Sequence, residues 1–234
     1  MRRRAKPFRH LERRHVLSAR PRRRPVLTGQ QSLTREAVRR RLAEPLRRRE
    51  RGDGDLNPDF RRRELLAEGK TLRPAAVLVP IVDRPAGMTV LLTQRSPHLA
   101  DHAGQVSFPG GRIEECDVDA TTCALREAQE EVGLPPANVE IVGRLDTYVI
   151  RTGYEVTPVV GVVDPPGELR PDPTEVAEVF EVPLRFILDP ANVELRERVI
   201  NGMTRQFYVW PYLGYYIWGA TAGMLVNLSE ALRR

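Results

Sequence analysis

Apolar residues fall along this chain in two rhythms. Ala75 to Val82 (AAVLVPIV) is a nearly unbroken apolar run, the pattern of a strand covered on both faces, and Thr89 to Thr93 (TVLLT) repeats it. Pro85-Ala86-Gly87 between them predicts a hairpin turn. From about Thr121 to Val132 the apolar positions take a helical period, and Gly133 and Pro135 end it. Further strands are predicted at 139–149, 155–163 and 179–183, and residues 96–112, rich in Gly, His and Pro, predict a loop. Upstream, Thr34 can cap a helix carrying Ala37, Val38, Leu42 and Leu46 as a loose apolar stripe. Residues 50–59 (ERGDGDLNPD) predict a linker, and Phe60 to Gly69 a second short helix. Residues 1–31 show no apolar period and are expected to be disordered. Few helices among many strands predict a mixed sheet covered by helices, an α/β or α+β sandwich.

Phe207 to Leu228 carries no charge and is long enough to cross a bilayer. Pro211, Gly214, Gly219 and Gly223, with polar Thr221 and Asn227, argue against a span. Tyr208, Trp210 and Tyr212 alternate as in a strand. The segment predicts an aromatic strand, a turn at Gly214, a short apolar strand and a helix from about Ala220. Trp218 is expected in the core rather than as a platform for a base.

Charge divides the chain. Residues 1–63 hold 22 Lys/Arg against 7 Asp/Glu, the remainder 15 against 24, so a basic arm precedes an acidic body. An acidic body is a poor binder of nucleic acid over its whole face, which leaves only the arm for such contact. The first thirty residues lack the apolar segment of a secretory signal; Arg-rich and nearly free of acid, they would also suit a mitochondrial presequence. A cytoplasmic location is the first expectation. Two cysteines, Cys116 and Cys123, exclude a disulfide scaffold and a multi-cysteine zinc site.

The densest chemistry lies at 126–134, Arg-Glu-Ala-Gln-Glu-Glu-Val-Gly-Leu. On a helix Glu127 and Glu131 share one face and Glu130 flanks it. Such a trio is either a solvated acidic face or a set of oxygen ligands for Mg²⁺ or Mn²⁺, which would in turn hold a polyphosphate. Phe108-Pro109-Gly110-Gly111 just upstream favours the second reading, because it offers backbone N–H groups that a ligand can approach closely.

These residues resemble the Nudix box, Gly-x5-Glu-x7-Arg-Glu-U-x-Glu-Glu-x-Gly-U with U apolar. Gly111 opens it, and Arg126, Glu127, Ala128, Glu130, Glu131, Gly133 and Leu134 fill its second half in register. Asp117 stands where the first Glu belongs, eight residues rather than seven before Arg126. The resemblance implies an α/β/α sandwich with a mixed sheet over 72–234, after the basic arm of 1–31 and a helical extension and linker over 32–71. It also implies metal-dependent hydrolysis of a nucleoside diphosphate linked to another moiety. The implied metal ligands are Glu127, Glu130 and Glu131.

A second pattern, Leu91-Leu92-Thr93-Gln94-Arg95-Ser96, Gly104 and Phe108-Pro109-Gly110-Gly111, resembles the signature LLTxRSx3Rx3GxxxFPGG of the coenzyme A pyrophosphatase branch, with Ala100 where its second Arg falls. The implied substrate is coenzyme A or acyl-CoA, split into 3′,5′-ADP and 4′-phosphopantetheine or its acylated form. ADP-ribose or another nucleoside diphosphate is the alternative within the family, and a non-catalytic nucleotide- or RNA-binding module the alternative outside it. Arg95 is expected to hold a phosphate as a fork of donors, with Gly110, Gly111 and Arg112 also on the substrate. The expected catalytic group is Glu130, Glu131, Arg126 and Glu178, the last from the acidic run 172–181. His98 and His102 are expected to be ordinary loop histidines. A homodimer is compatible with the sequence.

Overall fold

The computed structural model describes residues 33–43 and 51–234; the expected disordered arm and the end of the first helix at Leu46 lie outside them. The helices are α1 (Arg35–Ala43), α2 (Arg62–Ala67), α3 (Ala120–Val132), α4 (Leu184–Leu188) and α5 (Gly219–Leu232). The strands are β1 (Arg51–Gly52), β2 (Arg73–Val82), β3 (Thr89–Arg95), β4 (Val106–Ser107), β5 (Gly110–Arg112), β6 (Val139–Arg144), β7 (Tyr148–Ile150), β8 (Tyr154–Val163), β9 (Val176–Pro183), β10 (Glu194–Ile200), β11 (Met203–Tyr212) and β12 (Tyr215–Trp218). β1 to β9 form one mixed sheet and β10–β11–β12 a second, antiparallel one.

Strand alternation explains the layers. β2 and β8 run parallel over their full length. Ala76, Leu78, Val82, Leu91, Val159 and Val163 point to one face, where α3 covers them with Cys123, Ala124, Ala128 and Val132. Val79, Ile81, Val90, Leu92, Val160 and Val162 point to the other, under Val38 and Leu42 of α1 and Leu225, Leu228 and Leu232 of α5. This is the expected α/β/α sandwich on a mixed sheet.

Several expectations are corrected. The stretch 96–112 holds two short strands rather than only loop: Thr93 Oγ1 lies 3.0 Å from Ser107 Oγ, and β5 pairs with Ala75–Val77 of β2. The strand expected at 139–149 is divided into β6 and β7, which pair with opposite ends of β8. β10 was not anticipated, because its sequence ELRERVI is charged and exposed along almost its whole length. The expected linker is folded instead: β1 pairs parallel with β7, and single 3-10 turns follow at Asp53–Asp55 and Pro58–Phe60. Asn57 exchanges bonds with the main chain of β11, its Nδ2 donating to the Gln206 carbonyl (2.9 Å) and its Oδ1 accepting the Gln206 amide (3.1 Å). The C-terminal segment follows the expected order of strand, turn, strand and helix, with Trp210 buried and donating to the Ala222 carbonyl. Trp218 is 37% exposed and edge-on to Phe207 rather than in the core. Among the described residues no helix is long and apolar enough to cross a membrane.

Candidate active site

The site originates where the central sheet splays. β2 gives one edge wholly to β8, and the other to β3 at Ile81–Val82 and to β5 at Ala75–Val77. The chain from β4, on β3, to β5, on β2, therefore crosses the opening and lays Gly110-Gly111 against α3. The absence of a side chain serves a different purpose at each position. Gly110 has φ 155°, and a Cβ on it would overlap the Ala76 carbonyl; a Cβ on Gly111 would overlap the Glu127 carboxylate.

α3 is fixed at both ends. The Asp119 carboxylate accepts the Thr122 amide at 2.9 Å as an N-cap. At the other end Gly133, with φ 68°, donates to the Gln129 carbonyl, and Leu134 donates to that of Ala128. The small residues Cys123, Ala124 and Ala128 bring the helix close to the sheet, so its opposite flank carries the carboxylates into the opening.

Glu131 is 4% exposed. Its carboxyl is pushed up to about 8, first by burial and then by the charge of Glu127, with Glu175 adding to both and with Arg95 and the Gly110 amide opposing. Glu127 is raised as well, by burial first and then by Glu130 and Glu175, against Arg126. Arg126 spreads its guanidinium over three carboxylates. Its Nε and Nη2 hold Asp117 at 3.0 and 2.9 Å, its Nη2 lies 3.0 Å from Glu127 Oε1, and its Nη1 donates to Glu130 at 2.9 Å. The fork, with the Glu114 amide, lowers Asp117 to about 2, and the carboxylates in turn raise Arg126. Asp117 is thus the anchor of this arginine, despite the altered spacing.

Arg95 ends β3. Its amide donates to the Gln105 carbonyl at 2.9 Å, and its buried Nε has no hydrogen-bond partner. Arg112 projects into solvent, while its carbonyl lies 3.4 Å from Cys123 Sγ. His98 and His102 are exposed, as expected.

Glu178 does not join this group. It shares its strand face with Phe180 and Val182, on the side away from α3, and accepts the Tyr215 hydroxyl at 2.7 Å while Phe180 stacks on the Tyr215 ring at 3.7 Å. The acid from the run 172–181 whose charge reaches Glu127 and Glu131 is Glu175. Glu175 lies in the turn before β9 and Glu178 within the strand, and the pairing of β9 with β3 shifts register between Gln94 and Arg95, so the different placement of the two acids becomes visible only once that register is known.

The donors facing the opening are carboxylate oxygens, two of them partly or wholly buried beside each other, a set that fits a hard divalent cation. Among the described residues no three His, Cys, Asp or Glu side chains converge as ligands of one ion, and Arg126 donates to Glu130.

The family model of the NUDIX domain matches residues 72–201, more than half of the chain. The chain therefore belongs to the Nudix family. It is 45% identical over 157 residues, 67% of this chain and 81% of the other, to the protein described as the uncharacterized Nudix hydrolase NudL of Escherichia coli K12. The NudL of Shigella boydii serotype 18 gives the same figures. Among solved structures, the Nudix hydrolase RenU of M. smegmatis is 24% identical, covers 48% of this chain and 71% of that one, and has a TM-score of 0.39. The protein is a Nudix hydrolase, an enzyme of phosphoric anhydrides in nucleoside diphosphate-linked substrates.

Proposed function

We propose that this hydrolase cleaves the pyrophosphate of coenzyme A or acyl-CoA, releasing 3′,5′-ADP and 4′-phosphopantetheine or its acylated form. The observation that carries the reading is the position of Arg95. This residue of the upstream signature ends beside Glu131 with its Nε buried and unbonded, a donor held ready for an anion. Glu127 and Glu131 would hold Mg²⁺ or Mn²⁺, assisted by Glu130, whose second carboxylate oxygen is not the one Arg126 grips. When bound, the ion neutralises pyrophosphate oxygens and activates water. Arg126 touches carboxylates and not substrate in this reading, so it is a positioning residue. Gly110 and Gly111 leave the main chain open to the substrate. The exposed Arg112 makes no side-chain bond among the described residues and supplies the guanidinium that Ala100 lacks, toward the 3′-phosphate.

The test is incubation with Mg²⁺ or Mn²⁺ and, separately, CoA, acetyl-CoA, dephospho-CoA, ADP-ribose and NADH, with products identified by mass. The expected result is 3′,5′-ADP from CoA at the highest kcat/KM. Markedly faster turnover of dephospho-CoA or ADP-ribose would assign a different branch.

A further inference from the structure

β4 lies at the end of the large sheet, where Val106 and Ser107 pair with Gln94 and Thr93 of β3. The Arg95 amide donates to the Gln105 carbonyl at 2.9 Å. The next pair, Gln94 and Val106, therefore falls between ladder bonds, and the Val106 carbonyl turns away from β3. A carbonyl so placed needs a partner from another element. It finds one in α5: the Thr221 hydroxyl donates to it at 3.0 Å, in a buried bond. Thr221 stands in the first turn of α5 and is 7% exposed. Its hydroxyl is thus spent across the fold rather than on its own helix.

The segment that Thr221 grips carries a part of the site on each side. Before Val106, the Gln105 carbonyl holds the amide of Arg95, whose buried Nε is unbonded. After it, Phe108 is buried, the Pro109 carbonyl accepts the Leu78 amide at 2.9 Å, and the Gly110 amide bonds the Glu131 carboxyl. We propose that Thr221 is a positioning residue of this hydrolase: by fixing the Val106 carbonyl it holds in place the strand that sets Arg95 on one side of the opening and Gly110 on the other. It acts through Val106 and not on the substrate. The proposal rests on the hydrolytic reading of the site and not on the choice of coenzyme A as substrate. Thr221→Val keeps the shape of the side chain and removes its donor, leaving the Val106 carbonyl buried without a partner. β4, held otherwise by its short pairing with β3, then shifts, and Arg95 shifts with it.

The experiment compares wild type, Thr221→Val, Thr221→Ser and Leu228→Ala in the full chain. Leu228 is a buried residue two turns further along α5, so its truncation loosens the same helix without touching the Val106 carbonyl. kcat/KM is measured where the variants are folded, on whichever of the five nucleotides wild type hydrolyses best, so that failure of the coenzyme A assignment leaves the comparison intact. Hydrogen exchange of the Arg95 amide is followed in parallel. Thr221→Val is expected to lower kcat/KM by about 10–100-fold and to speed exchange at Arg95 by about tenfold or more, with the amides of β8 still protected. Thr221→Ser is expected to restore both to within about threefold of wild type, and Leu228→Ala to lower Tm with kcat/KM within about threefold. A kcat/KM within about threefold of wild type in Thr221→Val would overturn the proposal. So would a loss that serine does not recover, an equal loss in Leu228→Ala, or a loss with Arg95 exchange unchanged. Recovery by serine decides the matter even where Leu228→Ala does not fold.

Discussion

Arg126 and Asp117 form a buried charge pair at the base of the site, with the Asp117 side chain 1% exposed. Removing one charge leaves the other desolvated, so Asp117→Asn is expected to cost about 1–3 kcal/mol in denaturant unfolding. It should also lower kcat, by releasing Arg126 onto Glu127 and Glu130. Because the folded pKa of Asp117 lies below the usual 3.8, its stabilisation is present above about pH 4 and is lost as pH falls toward 2. Glu131 has the opposite sign. Its folded pKa of about 8 lies above the usual 4.5, so in metal-free buffer stability is full below pH 4.5 and declines as pH rises to about 8. Glu131→Gln should flatten that decline in unfolding curves at pH 5, 7 and 9 and lower kcat by about 10²–10³-fold while the fold survives. Near-normal turnover in that variant would remove Glu131 from the site. At this scale the sequence made the glutamate trio and Arg95 legible, because both lie in fixed local patterns. It left the function of Asp117 open, since a one-residue change in spacing shows whether a bond survives only when the intervening turn is seen. It could not show that Glu178 sits within β9 beside Tyr215 while Glu175 lies in the turn before that strand, because the boundary of a strand in an acidic run leaves no apolar signal.

β5 is three residues long, yet it sets the position of the glycines opposite α3. Gly110→Ala would force a Cβ into the Ala76 carbonyl at a φ that L-residues rarely adopt. The expected result is loss of the β5–β2 pairing, a fall of about 2–4 kcal/mol in stability and loss of activity together, read by denaturation and assay. Gly111→Ala separates the two effects. It displaces only the Glu127 carboxylate, so weakened Mn²⁺ binding is expected with a smaller change in stability. The long elements could be predicted, since β2, β8 and α3 show their burial as apolar runs or helical period. β10 could not be read that way, but Asn201-Gly202 could have revealed it: both residues have positive φ (51° and 77°), the demand of a two-residue hairpin turn, and Ile200 pairs with Met203 across it. β4 and β5 gave no comparable signal, because their pairing is imposed by the splay of longer strands.

Across the whole molecule, residues 1–31 carry much of the basic charge and none of the apolar period, whereas every box and signature residue lies beyond Arg73. A chain beginning at Gln31 is expected to keep its Tm within about 2 °C and its kcat/KM at physiological salt. A large fall in either would show that the arm completes the core or the site. The overall sandwich was legible because α3 and the central strands are patterned so strongly. The contribution of residues 51–60 was not, since Gly, Asp and Pro look alike in a linker and in the tight turns that Asp53 anchors, where its carboxylate accepts the Tyr148 hydroxyl (3.3 Å) and the Arg151 amide (3.0 Å). That anchoring bears on solubility. β1 lies along the outer edge of β7, and the family match begins at residue 72 and stops at 201, in the turn of the β10–β11 hairpin. Cutting at those limits would strip the border strand from one sheet and leave half a hairpin in the other. The span that matches the family and the span that can stay monodisperse are therefore different lengths of chain: a 72–201 fragment should aggregate through its bared strand edges, while a chain from Gln31 to Arg234 should not.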